Sequence, residues 1–374
     1  MIKRSARLDR VKRLFDPYLD RSGYVRLDRN EDPVGWEPSM FREFVDALTP
    51  DDFAAYSDST VMARKLCNWL GVATDQVMIT AGSDAAIKNL FETYVDEGDI
   101  VLCQDPNWRM YEVYGDIYRA KPVFVAYDRE LSFDTGAVLK HIRGERVRVV
   151  LLANPNQPTG TLIPAHDLEE IISCALQRDT VVAIDEAYHL FTDETTVPLV
   201  AKYPNLIVTR TFSKAYSLAG PRIGYRVADK ARIDDLMLLR PVTDANSIAL
   251  KCAEFALDHV DRVLERAADV IRGREYLYNE CIANGVSTYK SHANFLLLKC
   301  NSPDAANAVM QQARQRKYLL KGPFNFPPLE NHVRISIGPL DLMRRFWADC
   351  GETLVHHAAA KPSRQTVGSG AAKK

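Results

Sequence analysis

The sequence predicts an α/β fold: a mostly parallel sheet with helices on both faces, joined to a smaller α+β domain. Three observations predict it. Short, near-continuous apolar runs rich in β-branched residues recur between residues 77 and 211, as strands buried on both faces of a parallel sheet do. Helical patterns separate several of these runs. A chain of 374 residues is also long for one hydrophobic core, so two domains are expected.

The first strand is VMIT at 77–80, followed by a helix in which Ile87, Leu90, Phe91, Tyr94 and Val95 share one face. Next come IVLCQ (100–104), PVFVAY (122–127), VRVVLLAN (147–154), VVAID (181–185) and LIVTRT (206–211), with the helix HDLEEIISCALQ at 166–177 among them. These elements place the large layered domain over 45–245. The second half changes character. Residues 248–283 read as one long helical region, followed by ANFLLLK (293–299), a helix, YLLKG (318–322) and HVRISIG (332–338). With the N-terminal segment packed alongside, they give the smaller domain over 1–44 and 246–355. From His356 to Lys374 the chain is small, polar and poor in apolar residues, and a disordered tail is expected over 356–374.

Charge and cysteine usage narrow the function classes. Forty-eight Lys and Arg against 49 Asp and Glu give a net charge of -1, which exerts no general pull on nucleic acid or anionic membrane. The seven cysteines are scattered with no CxxC pair, as expected of reduced thiols in a reducing compartment. The N-terminus is basic but lacks the apolar stretch of a signal peptide, and no segment approaches the ~20 apolar residues of a membrane span. A cytoplasmic protein with neither a nucleic-acid nor a membrane partner is expected. No HExxH, paired-Cys or acidic metal pattern occurs, so no metal is expected.

Four motifs carry chemistry. TRTFSKAYSLAGPRIGY (209–225) ends a strand at Thr211 and presents Lys214 between hydroxyls, with Arg222 eight residues on. A lysine amine near an anion site suits a cofactor that bonds an amine and carries a phosphate. VVAIDEAYHLF (181–191) ends a strand in Asp185, with Tyr188 three residues later. At the carboxyl end of a parallel strand, where ligands of open α/β sheets bind, such an acid can pair with a cationic ring nitrogen. ITAGSDAAIKNLF (79–91) runs from strand through Gly82, Ser83 and Asp84 into a helix, whose free N–H groups make a phosphate site. LLANPNQPTG (151–160) ends a strand in a turn whose Asn156 and Gln157 amides can reach a ring oxygen. Taken singly, each also reads as a surface lysine, a helix cap or a plain turn. His189, next to Tyr188, is read as structural, because neighbouring strand residues point to opposite faces.

In this order, from LDRNEDP (27–33) to VRISIG (333–338), the motifs resemble the fold-type I pyridoxal-phosphate enzymes. Within them they resemble the class I/II aminotransferases, nearest to the histidinol-phosphate aminotransferase-like group. The resemblance implies pyridoxal 5′-phosphate held covalently by Lys214, which also moves the proton at the substrate Cα. It implies Asp185 on the pyridinium nitrogen, Tyr188 on the phenolic oxygen, and Gly82, Ser83, Asp84, Thr211, Ser213 and Arg222 about the phosphate. Trp108 in DPNWRMY would stack on the ring. Tyr56 would reach the phosphate of a neighbouring subunit, implying a homodimer with shared sites. Arg334 would fork the substrate α-carboxylate, and Asn30 would line the substrate side. Tyr18 sits near a tyrosine that related enzymes use on a substrate phosphate; surface packing is its equal alternative.

The chain departs from the family pattern at four places. Gln157 stands where Asn usually precedes Pro-Thr-Gly, and the contact is expected to shift with the longer side chain or to pass to Asn156; Ala85 stands where many relatives carry Glu, NEDP replaces NENP, and Trp108 replaces Tyr. The implied reaction moves an amino group from a donor such as glutamate to a small keto or aldehyde acceptor, phosphorylated or not. The alternative is decarboxylation of a phosphorylated hydroxy amino acid.

Overall fold

The computed structural model describes residue 5, residues 8–11 and residues 20–358. Tyr18 lies outside the described residues, as does the tail beyond Ala358. The strands are β1 (Val25–Arg26), β2 (Val77–Thr80), β3 (Ile100–Asp105), β4 (Lys121–Ala126), β5 (Val147–Ala153), β6 (Val181–Asp185), β7 (Leu206–Thr211), β8 (Gly224–Ala228), β9 (Phe295–Lys299), β10 (Tyr318–Leu319) and β11 (His332–Ser336).

Seven of them form one sheet in the order β2-β8-β7-β6-β5-β3-β4. The neighbours from β4 to β7 pair parallel, and β8 runs antiparallel to both β7 and β2. Side-chain alternation explains why the strands read as continuous apolar runs. Val150, Leu152, Val182, Ile184 and Val208 join the core on one face, while Val149, Leu151, Val181, Ala183 and Ile207 join the core on the other. Both faces are dry, so both parities must be apolar.

The remaining strands pair separately, β9 with β11 antiparallel and β1 with β10 parallel. The helices Val260–Ala283 and Leu340–His357 pack against each other nearby.

Three elements differ from expectation. The long helical region over 248–283 is two helices, Ser247–Asp258 and Val260–Ala283. They break at His259, which leaves helical dihedrals (φ -116°, ψ 35°) and turns its ring Nδ1 onto the Phe255 carbonyl. Apolar spacing continues across the break, which is why the pattern does not show it. Strand β8 was not expected, because Arg226 interrupts its apolar run; that side chain is fully buried and donates to Asn89 Oδ1 at 2.7 Å. The last helix runs through His356 and His357, where a tail was expected, with Cys350 and Leu354 anchoring its final turns in the core.

The consequence for function is geometric. The carboxyl ends of β5, β6 and β7 lie side by side, so the residues that follow them converge at one edge of the sheet.

Candidate active site

The cavity at that edge is walled by Ser83, Asp84, Trp108, Gln157, Asp185, Tyr188, Thr211, Ser213, Lys214 and Arg222, together with Arg29 and Glu31. Six separated stretches of sequence thus meet in one place.

One end of the cavity is an anion cradle. The helix Gly82–Tyr94 starts at Ala81 without a side-chain cap, so its first N–H groups are free to meet an anion. Arg222 Nη1 donates to Ser213 Oγ at 3.2 Å and to the Ala219 carbonyl at 3.1 Å. Thr211 Oγ1 donates to Ser213 Oγ at 3.0 Å and accepts from the Ser213 N–H at 3.1 Å. Two glycines permit this packing. A Cβ on Gly82, which has φ +83°, would lie 2.9 Å from Arg222 Nη2, and one on Gly224 would lie 2.9 Å from the Ser83 nitrogen. Helix N-terminus, guanidinium and two hydroxyls together suit a phosphate dianion.

Lys214 follows β7 and faces the cavity. Its Nζ donates to the Arg29 carbonyl at 3.0 Å. Although the side chain is open to the cavity, desolvation of the amine is the main cause that lowers its pKa to about 8; Arg334 and Arg222 add to this, and Glu31 and Asp185 oppose it. An amine held near neutrality can act as nucleophile and base.

Asp185, at the end of β6, is 6% exposed. Burial pushes its pKa up to about 6, against the hydrogen bonds it accepts from Tyr111 Oη at 2.8 Å and from the Ala187 N–H at 3.1 Å. Among the described residues no cation is bonded to this carboxylate, and a buried carboxylate in that state is a place prepared for one. Sequence reasoning missed Tyr111. The signal was its place three residues after Trp108 at a helix start; the two rings meet edge to face, centroids 5.8 Å apart.

Tyr188 accepts from Asn30 Nδ2 at 2.8 Å and donates to Gln157 Oε1. Burial raises its pKa to about 12, so the phenol stays protonated. Of the two neighbouring amides, Gln157 faces the cavity. Asn156 turns away, donating to the Pro106 carbonyl at 3.1 Å and Thr159 Oγ1 at 2.9 Å. Asn30 is fixed from behind by Ser336 Oγ, which accepts its N–H at 2.8 Å, and by Asn294 Nδ2, which donates to its carbonyl at 3.0 Å.

Arg334, on β11, is 4% exposed. Its Nη2 donates to the Asp28 carbonyl at 2.9 Å, while Nε is buried without a hydrogen-bond partner. Its charge acts on both Lys214 and Tyr188, so it stands beside the cavity with donor capacity to spare. Tyr56 is 93% exposed and takes no part in this cavity. His189 lies in the turn after β6 rather than on the strand. Its Nδ1 meets the Glu186 carbonyl at 3.1 Å, and burial with Arg210 nearby drives its pKa well down. It belongs to the buried layer behind the site, so strand alternation was the wrong reason for a structural reading.

These residues fit pyridoxal phosphate group by group: the cradle for its phosphate, Asp185 for its ring nitrogen and Lys214 for its carbonyl carbon. Comparisons with known proteins identify the family. The family model for aminotransferase class I and II matches residues 24–348. Histidinol-phosphate aminotransferase of Methanocaldococcus jannaschii is 31% identical over 331 residues, covering 86% of this chain and 87% of the relative. That of Roseiflexus castenholzii is 32% identical over 321 residues, covering 84% and 85%. Among solved structures, histidinol-phosphate aminotransferase from Sinorhizobium meliloti in complex with pyridoxal-5′-phosphate superposes with TM-score 0.80 at 24% identity, covering 90% of this chain and 95% of that one. A Thermus thermophilus aspartate aminotransferase mutant gives 0.76 at 21% identity, covering 94% and 100%; both share the fold. These matches favour amino transfer over decarboxylation. With a matched model over most of its length and relatives above 30% identity along it, the chain belongs to the class I and II aminotransferases and is a pyridoxal-phosphate-dependent enzyme.

Proposed function

We propose that the enzyme moves the amino group between glutamate and a small phosphorylated partner of the histidinol-phosphate type. The observation that carries this reading is the meeting of the Ser83–Ser213–Arg222 cradle, the Asp185 carboxylate and the Lys214 amine in one cavity. Several relatives that cover most of the chain are named histidinol-phosphate aminotransferases.

Bound pyridoxal phosphate supplies a carbonyl that bonds amines and a ring that accepts electrons from the substrate Cα. The chain's own residues do the rest. Ser83 and Asp84 through their N–H groups, with Gly82, Thr211, Ser213 and Arg222, anchor the phosphate. Asp185 holds the proton on the ring nitrogen, itself oriented by Tyr111. Trp108 would cover one face of the ring, and Tyr188 with Gln157 would bond its oxygen. Lys214 Nζ would move the proton between the substrate Cα and the cofactor carbon that carries the amine, C4′. Arg334 grips the substrate anion. Glutamate presents a carboxylate there and histidinol phosphate a phosphate ester, and a planar guanidinium fork suits either. Asn30 positions Tyr188 and closes the substrate side.

Tyr56 belongs to the neighbouring site of a homodimer in this reading. Support comes from the exposed apolar side chains about it in sequence and on a nearby loop, with Phe53 71%, Leu238 83% and Val242 96% exposed. The division into 45–245 and 1–44 with 246–355 is part of this reading, and the separation of the seven-stranded sheet from the smaller ones supports it. Among the described residues no helix is long and apolar enough to cross a membrane, and a cytoplasmic enzyme of small-molecule biosynthesis is the reading we favour.

The test is direct. Histidinol phosphate and 2-oxoglutarate, incubated with the loaded enzyme, should yield glutamate. Release of carbon dioxide from a phosphorylated hydroxy amino acid, with no glutamate formed from any amino donor, would contradict the proposal.

A further inference from the structure

Asp32, the residue that makes NEDP of the commoner NENP, sits at a junction of three parts of the chain. Its carboxylate accepts from Arg266 Nε at 3.1 Å and Nη2 at 3.1 Å, a bidentate bridge from the helix Val260–Ala283. It also accepts from Ser217 Oγ at 2.6 Å. The Asp32 side chain is 5% exposed and that of Arg266 22%, so the bridge is shielded from the solvent that weakens surface pairs.

Ser217 lies three residues after Lys214 and adopts φ +61°, a region that side-chain-bearing residues seldom enter. A second tie joins the same two segments, since Trp36 Nε1 donates to the Tyr216 carbonyl at 3.0 Å. Arg266 Nη2 also reaches the Gly35 carbonyl at 3.4 Å. On the cavity side of Asp32, Asn30 bonds Tyr188, and the Arg29 carbonyl accepts the Lys214 amine.

A lysine amine on a flexible stem reaches many positions, and reaction needs one of them. The Arg29 carbonyl defines that position only if the 29–32 backbone is itself fixed relative to the loop that carries Lys214. Asp32 ties it at once to the Lys214 loop through Ser217 and to the helix Val260–Ala283 through Arg266. An asparagine there offers one oxygen instead of two and no charge, which does not satisfy Arg266 and Ser217 together.

We propose that Asp32 is a positioning residue: by clamping Ser217 and Arg266 it sets the 29–32 segment so that the Arg29 carbonyl holds the free Lys214 amine ready in the cavity. This rests on Lys214 being the lysine that bonds the cofactor.

The test uses the full chain stripped of cofactor and mixed with pyridoxal phosphate, following the rate at which the visible band of the lysine-bound cofactor appears. Asp32→Ala and Arg266→Ala should each slow uptake by about 10-fold, the scale of a small misplacement of a reacting group. The double variant should be no slower than either single one, because both break the same clamp. Asp32→Asn should recover part of the rate by retaining the Ser217 bond. Arg272→Ala, which removes an exposed bridge to Asp269 on the same helix, should leave uptake unchanged. Should Asp32→Ala fail to fold, Ser217→Ala removes one hydroxyl and should still slow uptake. Folded variants that take up cofactor at the wild-type rate, or a double variant whose losses multiply, would overturn the clamp. A wild-type chain that never gains the band would overturn the cofactor role of Lys214 instead, and with it the basis of this one.

Discussion

Asn30 donates its side-chain amide to the Tyr188 hydroxyl across 2.8 Å, joining residues 158 positions apart. The bond ties the N-terminal segment to the turn after β6, and Gln157 completes the group by accepting from the same hydroxyl. Tyr188→Phe leaves the buried Asn30 amide without its partner, while the half-buried Gln157 amide can turn to the cavity. An unsatisfied buried group costs about 1–3 kcal/mol, so the variant should unfold at lower urea than wild type. An unchanged midpoint would show that the Asn30 amide re-pairs.

The Asp185 carboxyl sets folding against binding. Its pKa in the fold, about 6, lies above its ordinary 3.8, so the folded chain binds this proton more tightly than the unfolded one. The ionised group therefore costs stability above about pH 6, and the cost fades as pH falls towards the ordinary value. At pH 7 the penalty is on the order of 2–3 kcal/mol, at about 1.4 kcal/mol per pKa unit. Asp185→Asn should raise the Tm of the cofactor-free protein while weakening its hold on pyridoxal phosphate. Calorimetry and a binding titration on one preparation check both halves, and a variant with lower Tm and unchanged affinity would contradict the account.

The lowered pKa of Lys214 has a kinetic reading. Only the neutral amine attacks a carbonyl. Uptake of cofactor by the stripped protein should therefore rise with pH through a midpoint near about 8 rather than near the ordinary 10.5. Stopped-flow absorbance over a pH series measures it.

Shared sites can be tested by mixing. If Tyr56 serves the neighbouring subunit, a hybrid of one Lys214→Ala chain and one Tyr56→Ala chain contains one intact site and one doubly damaged site. Refolding the two inactive or weakened variants together should then restore activity above that of either alone. No gain on mixing would place Tyr56 outside the neighbouring site.

Much of this arrangement was legible in the sequence, for physical reasons. Asp185 and Thr211 end apolar runs that could only be buried parallel strands, and the ends of such strands are where ligands bind. Lys214 and Arg222 follow at a spacing that the family resemblance made specific. What stayed hidden depended on packing. Tyr111 sits on an eight-residue helix, Met110–Ile117, too short for periodicity to show which face meets Asp185. Composition does not decide between the adjacent amides Asn156 and Gln157; packing does, by giving Asn156 one partner in the turn, Thr159, and another 50 residues away, the Pro106 carbonyl. Arg226 concealed β8, because a buried arginine breaks the apolar pattern that marks a strand. Asp32 was visible as a departure from the usual motif, but its partners Ser217 and Arg266 lie 185 and 234 residues away.

The central claim is that Lys214 bonds the cofactor. Borohydride reduction of the loaded enzyme fixes that bond permanently, and peptide mass spectrometry then locates it. The account predicts the pyridoxyl adduct on the peptide that contains Lys214 and on no other, with the adduct lost in Lys214→Ala. An adduct on a different lysine, or a reduced enzyme that carries none, would contradict it.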